Sequence, residues 1–187
     1  VASRPDEELV EFHVRRVPAG TASQRIWARA AIGDRVAIEG PLGSAFLREK
    51  HSGPILGIAG GSGLAPVKAV AETALAKGMG QPIRIYFGAR SEHDLYLLHR
   101  FAALTERHTN LSFVPVLSED SGAGFRSGYV SDVVAADLGD LDGWKAYLAG
   151  PPAMVDAAGP VLLQRGLRAA DIMRTSSTPR NTAKDPE

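Results

Sequence analysis

The chain has 187 residues, which is enough for one α/β domain and part of a second. Lysine plus arginine and aspartate plus glutamate each total 21, and the resulting zero net charge argues against nucleic acid or an anionic membrane as a partner. The chain has no cysteine, so it offers no disulfide, no cysteine-ligated metal centre and no thiol nucleophile of its own. Any iron–sulfur cluster must therefore lie on another domain or chain.

The longest uncharged stretch is too short to cross a bilayer. It runs from Pro54 to Val67, contains several glycines and ends at Lys68. A membrane-spanning helix needs roughly 20 apolar residues. We therefore expect a soluble, cytoplasmic protein with no membrane partner.

The first 50 residues are typical of antiparallel strands around one short helix. Between residues 9 and 17, Val10, Phe12 and Val14 alternate with polar residues, which is the period of a strand with one exposed face. The pattern also predicts a helix over 23–31 and a second short strand over 35–39. Because these strands are too few to close a barrel alone, they would leave open edges.

After Gly53 and Pro54 the pattern becomes a regular alternation of strands and helices. The predicted strands are 55–59, 83–87, 111–117, 145–149 and 170–173. The predicted helices are 64–77, 94–107, 129–138 and 153–165, the second of them entered through a capping box at Ser91. This alternation predicts a doubly wound parallel sheet with helices on both faces over residues 51–175. The polar residues 176–187 are expected to be a disordered tail.

The most informative segment is a buried strand that runs directly into glycines and then into a helix. Its sequence is Ile55-Leu-Gly-Ile-Ala-Gly60-Gly61-Ser62-Gly63-Leu64-Ala-Pro66. In such a turn, glycines let backbone amides approach a pyrophosphate, and the helix amino end adds unpaired N–H groups and a positive dipole. Pro66 replaces the usual third glycine, and proline is favoured in a first helical turn. A tight turn without a ligand is the alternative.

Two other interpretations of this turn fail on residue spacing. A serine-hydrolase elbow requires Gly-x-Ser-x-Gly, but Leu64 stands at its last position and the final histidine, His108, comes too early in the chain. A kinase or ATPase phosphate loop requires Gly-Lys-Ser/Thr, and Lys68 lies too far into the helix. We therefore expect neither serine-based hydrolysis nor phosphoryl transfer.

A second candidate turn follows the strand 145–149, where Ala149-Gly150-Pro151-Pro152 opens a helix that contains Met154. Ligands of open parallel sheets lie beyond the carboxyl ends of the strands, so the two turns would face one crevice if their strands are neighbours. Neither turn supplies an acid, a base or a nucleophile. Hydride transfer between two bound cofactors needs the protein mainly for orientation, and the pattern favours that chemistry.

A set of short motifs follows in a fixed order along the chain. The motifs are His13-Val-Arg-Arg16, Gly20-Thr-Ala-Ser23, Gly40-Pro-Leu-Gly43, Gly60-Gly-Ser-Gly-Leu-Ala-Pro66, Phe87-Gly-Ala-Arg90 with Asp94-Leu-Tyr96, Ser127-Gly-Tyr-Val-Ser-Asp132 and Ala149-Gly-Pro-Pro152. Together they closely resemble the ferredoxin reductase superfamily. Within it, the chain is most similar to the flavin-dependent NADH reductases of multicomponent aromatic-ring oxygenases, over a length from Val1 to about Met173.

The resemblance implies that residues 1–50 are the C-terminal part of an FAD-binding antiparallel β-barrel and that 51–175 are an NAD(P)-binding domain. The implied flavin-side residues are His13, Val14 and Arg15 along the flavin, and Gly20, Thr21, Ala22 and Ser23 at the FAD pyrophosphate. An ordinary surface turn is the alternative at the latter four. The implied nicotinamide-side residues are Gly61, Ser62, Gly63, Leu64 and Pro66 at the NAD(P) phosphates, and Ala149, Gly150, Pro151, Pro152 and Met154 at the nicotinamide. No metal ligands are implied.

The chain departs from the family pattern at two places. The family's Arg-x-Tyr-Ser element, which orients the flavin ring, would come immediately before Val1, so we expect an amino-terminal truncation, weak NAD(P) binding and poor FAD binding. Ala149 stands where many members carry cysteine near the nicotinamide, which implies weaker tuning rather than loss of function.

Arg90 bears on the choice between NADH and NADPH. An acidic residue at the end of the second strand would bind a ribose 2′-hydroxyl, whereas Arg90 could meet a 2′-phosphate. Glu92 and Asp94 follow closely and would oppose that phosphate. The resemblance favours NADH, and a plain solvated charge is the third possibility for Arg90.

The resemblance implies an electron-transfer oxidoreductase. It would pass a hydride from NADH or NADPH to FAD and then single electrons to an iron–sulfur partner protein, either a ferredoxin or an oxygenase component. One alternative is a nucleotide-binding or electron-transfer subunit that catalyses nothing. Another is a flavohaemoglobin-like or free-flavin reductase, which has the same two domains and a different acceptor.

Overall fold

The computed structural model describes residues 1–40, 43–120 and 124–176, and within them six strands form one sheet. The strands are β1 (Ile55–Gly60), β2 (Ile83–Ala89), β3 (Leu111–Leu117), β4 (Arg126–Ser127), β5 (Lys145–Gly150) and β6 (Ile172–Ser176). Their order across the sheet is β4-β3-β2-β1-β5-β6, and all neighbours are parallel. The α/β fold with a parallel sheet is confirmed.

Helices cover both faces of this sheet. The helices are α1 (Thr21–Arg29), α2 (Leu64–Ala76), α3 (Leu98–Arg107), α4 (Val130–Asp137) and α5 (Pro152–Gln164). Side chains of α2 and α3 pack in one hydrophobic core, and those of α4 and α5 pack in a second core on the opposite face. No helix among the described residues is long and apolar enough to span a bilayer.

Strand β1 lies at the centre of both cores. All six of its residues are buried. Ile55 and Ala59 contribute to the core with α2, whereas Leu56 and Ile58 contribute to the core with α4 and α5. Successive side chains of a strand point to opposite faces, so a strand covered on both faces becomes a continuous apolar run. This explains why the sequence shows no alternation here.

The order in which strands are added to the sheet reverses at β1, because β2 lies on one side of it and β5 on the other. Ala59 of β1 is in register with Ala149 of β5. The turns that follow these two strands therefore leave the sheet side by side at the same edge. A crevice opens at such a switch point, which is where open α/β sheets bind ligands. The prediction that the two turns share one crevice is confirmed.

The two turns pack backbone against backbone. A Cβ atom added to Gly63 would lie 2.1 Å from the carbonyl oxygen of Ala149, and one added to Gly150 would lie 3.0 Å from the backbone nitrogen of Gly60. Side chains at these positions would push the two strands apart. Gly61 adopts a positive φ of 53°, which also favours glycine.

The amino-terminal region forms one helix and no strand within residues 1–40 and 43–50. The strands predicted over 9–17 and 35–39 are not formed there. A strand needs a neighbour for its N–H and C=O groups, and the described residues place none beside these segments. The apolar side chains of the first segment are consequently exposed, by 58% at Val10, 45% at Phe12 and 40% at Val14. Helix α1 begins two residues earlier than predicted and has no buried residue.

The helix predicted over 94–107 begins later in the structure than predicted. A short 3-10 turn occupies Glu92–Asp94, Leu97 has a left-handed backbone with a φ of 61°, and α3 begins only at Leu98. The Ser91 side chain makes no capping hydrogen bond. Instead, Asp120 accepts a hydrogen bond from the backbone N–H of Glu92 at 3.2 Å. A tertiary contact has replaced the predicted local cap.

The remaining elements agree with the predictions to within a few residues. Strand β3 has the predicted bounds, and β6 starts two residues later than predicted, after a 3-10 turn at Ala169–Asp171. Strand β4, of two residues, was not predicted. Ser176 ends β6, and the rest of the predicted disordered tail lies outside the described residues, as does part of the Gly40-Pro-Leu-Gly43 motif.

An ion cluster ties the beginning of β6 to the beginning of β5. Asp171 is 5% exposed. It accepts hydrogen bonds from the Lys145 ammonium and, at 2.7 Å, from Arg168. The hydrogen bond from Lys145 lowers the pKa of Asp171 despite its burial, and that from Arg168 adds to the effect. Because the folded-state pKa lies below the unfolded value, the carboxylate stabilises the fold above the unfolded pKa and loses this effect as pH falls.

The variant Asp171→Asn is expected to lower the free energy of unfolding at neutral pH by about 2 kcal/mol, because it leaves Lys145 without its anionic partner. The difference from the original chain should shrink as the pH falls below the ordinary pKa of an aspartate and through the lowered folded-state pKa of Asp171. Urea denaturation at several pH values measures both effects, with Asp156→Asn on the exposed side of α5 as the control. A difference that does not change with pH would contradict the assignment.

The variant Gly63→Ala is expected to lower the free energy of unfolding by about 2 kcal/mol, because its Cβ overlaps the Ala149 carbonyl and the turns must separate. The matched control is Gly80→Ala, whose Cβ would meet nothing within 4 Å. Denaturant unfolding compares the two variants. Equal stabilities would show that the turns tolerate separation.

Candidate functional site

A cleft of about 730 Å³ lies beyond the carboxyl ends of the central strands. The turn after β1 and the turn after β5 form its floor, and residues of the amino-terminal segment form one wall. Eight residues predicted for the site line it: His13, Val14, Arg15, Gly61, Ser62, Arg90, Pro151 and Met154. The flavin-side and nicotinamide-side motifs are thus brought to one cavity, although up to about 140 residues separate them in the sequence.

The other predicted site residues lie outside the lining of this cleft. They are Gly20, Thr21, Ala22, Ser23, Gly63, Leu64, Pro66, Ala149, Gly150 and Pro152. Leu64 and Ala149 are 0% and 3% exposed and belong to the core. Gly63 and Gly150 occupy the close contact between the two turns. These four residues shape the cleft from behind rather than contact its contents.

The turn after β1 presents a polar, electropositive surface to the cleft. It is a 3-10 turn over Gly61–Gly63 that continues into α2, and no side chain caps the start of either element. The first N–H groups of a helix have no intrahelical partner and attract anions. The Arg15 guanidinium adds a cation, since a Cβ on Gly61 would lie 3.3 Å from its Nη1 atom.

The turn after β5 presents an apolar surface instead. Helix α5 begins at Pro152, which has no N–H group to offer. Met154 and Pro151 cover Gly60 closely, because a Cβ on that glycine would lie 2.7 Å from the Met154 sulfur and 2.9 Å from Pro151 Cδ. The cleft therefore has an anion-attracting end beside an apolar end, with no ionisable group on the floor of the latter.

Tyr96 joins the flavin-side segment to the glycine turn. Its hydroxyl lies 2.9 Å from His13 Nδ1 and 3.4 Å from the carbonyl oxygen of Gly61. Its ring makes edge contacts with His13 and Phe87, at centroid distances of 5.3 and 5.6 Å. Burial raises the pKa of Tyr96, and the nearby Glu11 carboxylate raises it further, so the phenol keeps its proton.

Tyr96 was not among the predicted site residues. Its motif, Asp94-Leu-Tyr96, was visible in the sequence, but the pattern carried no sign of the contact with His13, which is 83 residues away. Its carboxylate neighbour Asp94 pairs with Arg15 at 3.4 Å rather than facing Arg90.

Arg90 lies at the rim of the cleft, just beyond the end of β2. Its guanidinium is 3.8 Å from Glu119, and both side chains are largely exposed, by 72% and 66%. Such a surface pair contributes little to stability. Arg90 can therefore turn toward a ligand at small cost, but Glu119 opposes a second negative charge beside it.

The residues Gly20 to Ser23 form the start of α1. Ser23 Oγ accepts a hydrogen bond from the Val17 N–H at 3.1 Å and donates one to the Gly20 carbonyl at 3.4 Å. No side chain caps the helix, so its first N–H groups point away from the helix body without an internal partner. Trp27, one turn further on, reaches the cleft lining.

Two family models match the chain in the order that the motifs predict. The oxidoreductase FAD-binding domain matches residues 1–46, and the oxidoreductase NAD-binding domain matches residues 58–159. The second match alone covers more than half of the chain.

Curated relatives are reductase components of oxygenase systems. The chain is 44% identical over 168 residues to the ferredoxin–NAD(P)(+) reductase component of the naphthalene 1,2-dioxygenase/salicylate 5-hydroxylase systems of a Ralstonia species, covering 89% of this chain and 51% of that protein. It is 41% identical to the reductase subunit of an aromatic O-demethylase of an Amycolatopsis species, covering 96% and 55%. The chain thus spans about half the length of the curated relatives it matches.

Solved structures agree with these relatives. The cytochrome P450 reductase of Amycolatopsis superposes with a TM-score of 0.84 at 40% identity, covering 89% of this chain and 51% of that one. The ferredoxin reductase in carbazole 1,9a-dioxygenase superposes with a TM-score of 0.75 at 30% identity, covering 86% and 48%. The resemblance stated from the motifs is confirmed, and the chain belongs to the oxidoreductase family defined by these FAD-binding and NAD-binding domains.

Proposed function

We propose that this chain is part of an oxidoreductase that passes a hydride from NADH to FAD and then passes single electrons to an iron–sulfur acceptor of an oxygenase system. The observation that carries the proposal is the shared cleft. Its floor joins an anion-attracting turn to an apolar turn, and its wall comes from the segment that matches an FAD-binding domain. The relatives named as the reductase component of a naphthalene 1,2-dioxygenase/salicylate 5-hydroxylase system and as the reductase subunit of an aromatic O-demethylase support it.

The residues present fit a dinucleotide. The turn at Gly61 and Ser62 offers backbone N–H groups and the Arg15 guanidinium to a pyrophosphate. Pro151 and Met154 offer an apolar surface that would exclude water from one face of a flat ring. A nicotinamide cofactor supplies two electrons and one proton as a hydride, and a flavin accepts them and releases the electrons singly. The cleft needs no acid or base for that step, and its apolar floor supplies none.

The flavin would lie on the opposite wall, along His13, Val14 and Arg15. We assign the FAD pyrophosphate to the uncapped start of α1, at Gly20 to Ser23, on the basis of its N–H groups. The boundaries we propose, residues 1–50 for the FAD-binding part and 51–175 for the NAD(P)-binding domain, are supported by the two family matches.

NADH is the proposed electron donor. A 2′-phosphate would meet Arg90, but the Glu119 carboxylate already lies 3.8 Å from that guanidinium, and Asp120 holds the adjacent backbone at Glu92. These two acidic groups would oppose the extra charge of NADPH. They do not oppose a ribose hydroxyl.

Any iron–sulfur cluster would lie on another domain or on the acceptor protein, since the 187 residues contain no cysteine to hold one. Ferredoxin appears in the description of the Ralstonia relative, which supports an iron–sulfur protein as the partner. We also assign the protein to the cytoplasm, where NADH is supplied.

The proposal predicts that the chain binds NADH more tightly than NADPH, both with low affinity, and that anaerobic NADH bleaches the visible absorbance of FAD added in excess. Calorimetric titration with each nucleotide and stopped-flow absorbance with FAD measure these properties. Binding of neither nucleotide would overturn the proposal. Binding without any flavin reduction, even at saturating FAD, would favour a nucleotide-binding subunit that catalyses nothing.

The variant Arg15→Gln is expected to weaken NADH binding by about tenfold, because it removes a charge-assisted contact beside the Gly61 turn. The loss should diminish at high salt, since Arg15 is half exposed and its attraction for the phosphates is screened. Calorimetry at low and high ionic strength tests this. The control, Arg107→Gln, removes the same charge from the exposed end of α3, outside the cleft. An equal loss in both variants would point to net charge alone.

A further inference from the structure

Helix α2 carries a lysine inside the protein. The Lys68 side chain is 1% exposed, one turn beyond the start of the helix. Its ammonium donates to the Ala2 carbonyl oxygen at 2.9 Å and to Glu11 Oε2 at 2.9 Å, and it lies 3.4 Å from Glu72 Oε2. Two of the three donors of this ammonium make hydrogen bonds, and the Glu72 carboxylate adds an ion pair. Burial of a charge is costly unless it is paired in this way, so the three contacts hold one another in place.

Two of these three acceptors belong to the amino-terminal segment. Ala2 and Glu11 are also joined to each other, because the Ala2 N–H donates to the Glu11 carbonyl oxygen at 2.8 Å. The Glu11 N–H donates to Ser3 Oγ at 3.1 Å. Apart from Ala2 and Ser3, the described residues from 1 to 40 are not buried. Apolar packing therefore holds this segment weakly, and Ala2 and Glu11 attach it to the buried Lys68 of the α/β domain, with the Glu11 side chain itself 44% exposed.

A series of hydrogen bonds leads from the second carboxylate oxygen of Glu11, Oε1, toward the cleft. Glu11 Oε1 lies 2.8 Å from His13 Nε2, and His13 Nδ1 lies 2.9 Å from the Tyr96 hydroxyl. Hydrogen bonds from Lys68 and His13 lower the pKa of Glu11, so its carboxylate is ionised and can only accept. Nε2 of His13 is consequently the protonated nitrogen. The Tyr96 hydroxyl has one hydrogen, which His13 Nδ1 accepts in this tautomer, and its oxygen lies 3.4 Å from the Gly61 carbonyl oxygen in the turn from which α2 starts.

We propose that Lys68 is a positioning residue for the reaction: by holding Glu11 it fixes His13, and thereby the flavin-side wall of the cleft, at a set distance from the glycine turn. This inference deepens the proposed function and rests on it. Hydride transfer depends on the distance and angle between two rings, so a wall that moves by even one ångström would slow it severely. Lys68 touches neither ring and acts only through Glu11 and His13.

Glu72, which pairs with Lys68, also pairs with Arg100. A variant of Arg100 can therefore separate a positioning role of Lys68 from a general contribution to stability. Arg100 donates to both carboxylate oxygens of Glu72, at 2.6 and 2.8 Å. Glu72 is 4% exposed, so removal of Arg100 should destabilise the domain. Lys68 would still hold Ala2 and Glu11 in that variant. A second control is Lys77, which pairs with Glu49 at an exposed site just beyond the end of α2.

The test compares Lys68→Met, Glu11→Gln and the double variant with Arg100→Gln and Lys77→Met, all in the full 187-residue chain. Three properties are measured: amide hydrogen exchange of Ala2 and Glu11, whose N–H groups are hydrogen-bonded at this contact, the tautomer of His13 from its ring-nitrogen resonances, and the dissociation constant for NADH. Thermal unfolding reports the stability of each variant. Glu11→Gln leaves the core around α2 intact. If Lys68→Met does not fold, Glu11→Gln still tests whether the contact between Lys68 and Glu11 positions His13.

We expect Lys68→Met to speed exchange of the Ala2 and Glu11 amides by about tenfold, to mix the two His13 tautomers, and to weaken NADH binding by about tenfold. Glu11→Gln should change the same three properties in the same direction. The double variant should be no worse than the worse single variant, because the two residues act through one contact. Arg100→Gln should lower the unfolding temperature without these changes, and Lys77→Met should change nothing.

Unchanged exchange and an unchanged tautomer in Lys68→Met would overturn the proposal, as would the same three changes in Arg100→Gln, which would reduce Lys68 to a stabilising residue. If the original chain binds no NADH, the proposed function fails. Exchange and the His13 tautomer then still decide whether Lys68 positions the segment, since neither needs a nucleotide.

Discussion

The close packing of two backbone turns is the constraint on which the rest of the site depends. Gly63 lies against the carbonyl of Ala149, with no room for a side chain between them. This contact is possible because β1 and β5 are neighbours in the sheet, with Ala59 in register with Ala149. The polar start of α2 and the apolar start of α5 are thereby placed side by side. The cleft is a consequence of strand order more than of any one side chain.

Helix α2 then does two things at once. Its start has no side-chain cap, a feature that attracts anions in proteins, and one turn later Lys68 contacts the amino-terminal segment. A buried ammonium contributes little net stability, because its desolvation offsets the attraction of its partners. It does impose geometry, since it must find its acceptors in fixed positions. A contact of this kind suits the boundary between the two proposed cofactor sites, where apolar packing is sparse and alignment matters.

The sequence predicted the α/β region well, because its elements are encoded by local patterns: continuous apolar runs for buried strands, and glycines where a strand turns into a helix. The predicted start of α3 was wrong. Ser91 makes no capping hydrogen bond, and Asp120, which is distant in sequence, accepts one from the Glu92 N–H instead. The segments 9–17 and 35–39 have the right alternation but no ladder, since a strand exists only beside another strand. Pattern alone cannot supply that neighbour.

Some residues of the glycine and proline motifs line the cleft, but the motifs could not separate these residues from those that let two turns meet. Gly61 lines the cleft, whereas Gly63 lies behind it, and nothing in the motif distinguishes them. The contacts that orient the site, Lys68 to Glu11 and His13 to Tyr96, join segments 57 and 83 residues apart. Motifs therefore describe what a site can bind. Polar contacts between distant segments, such as these two, determine how rigidly the walls of the site are held.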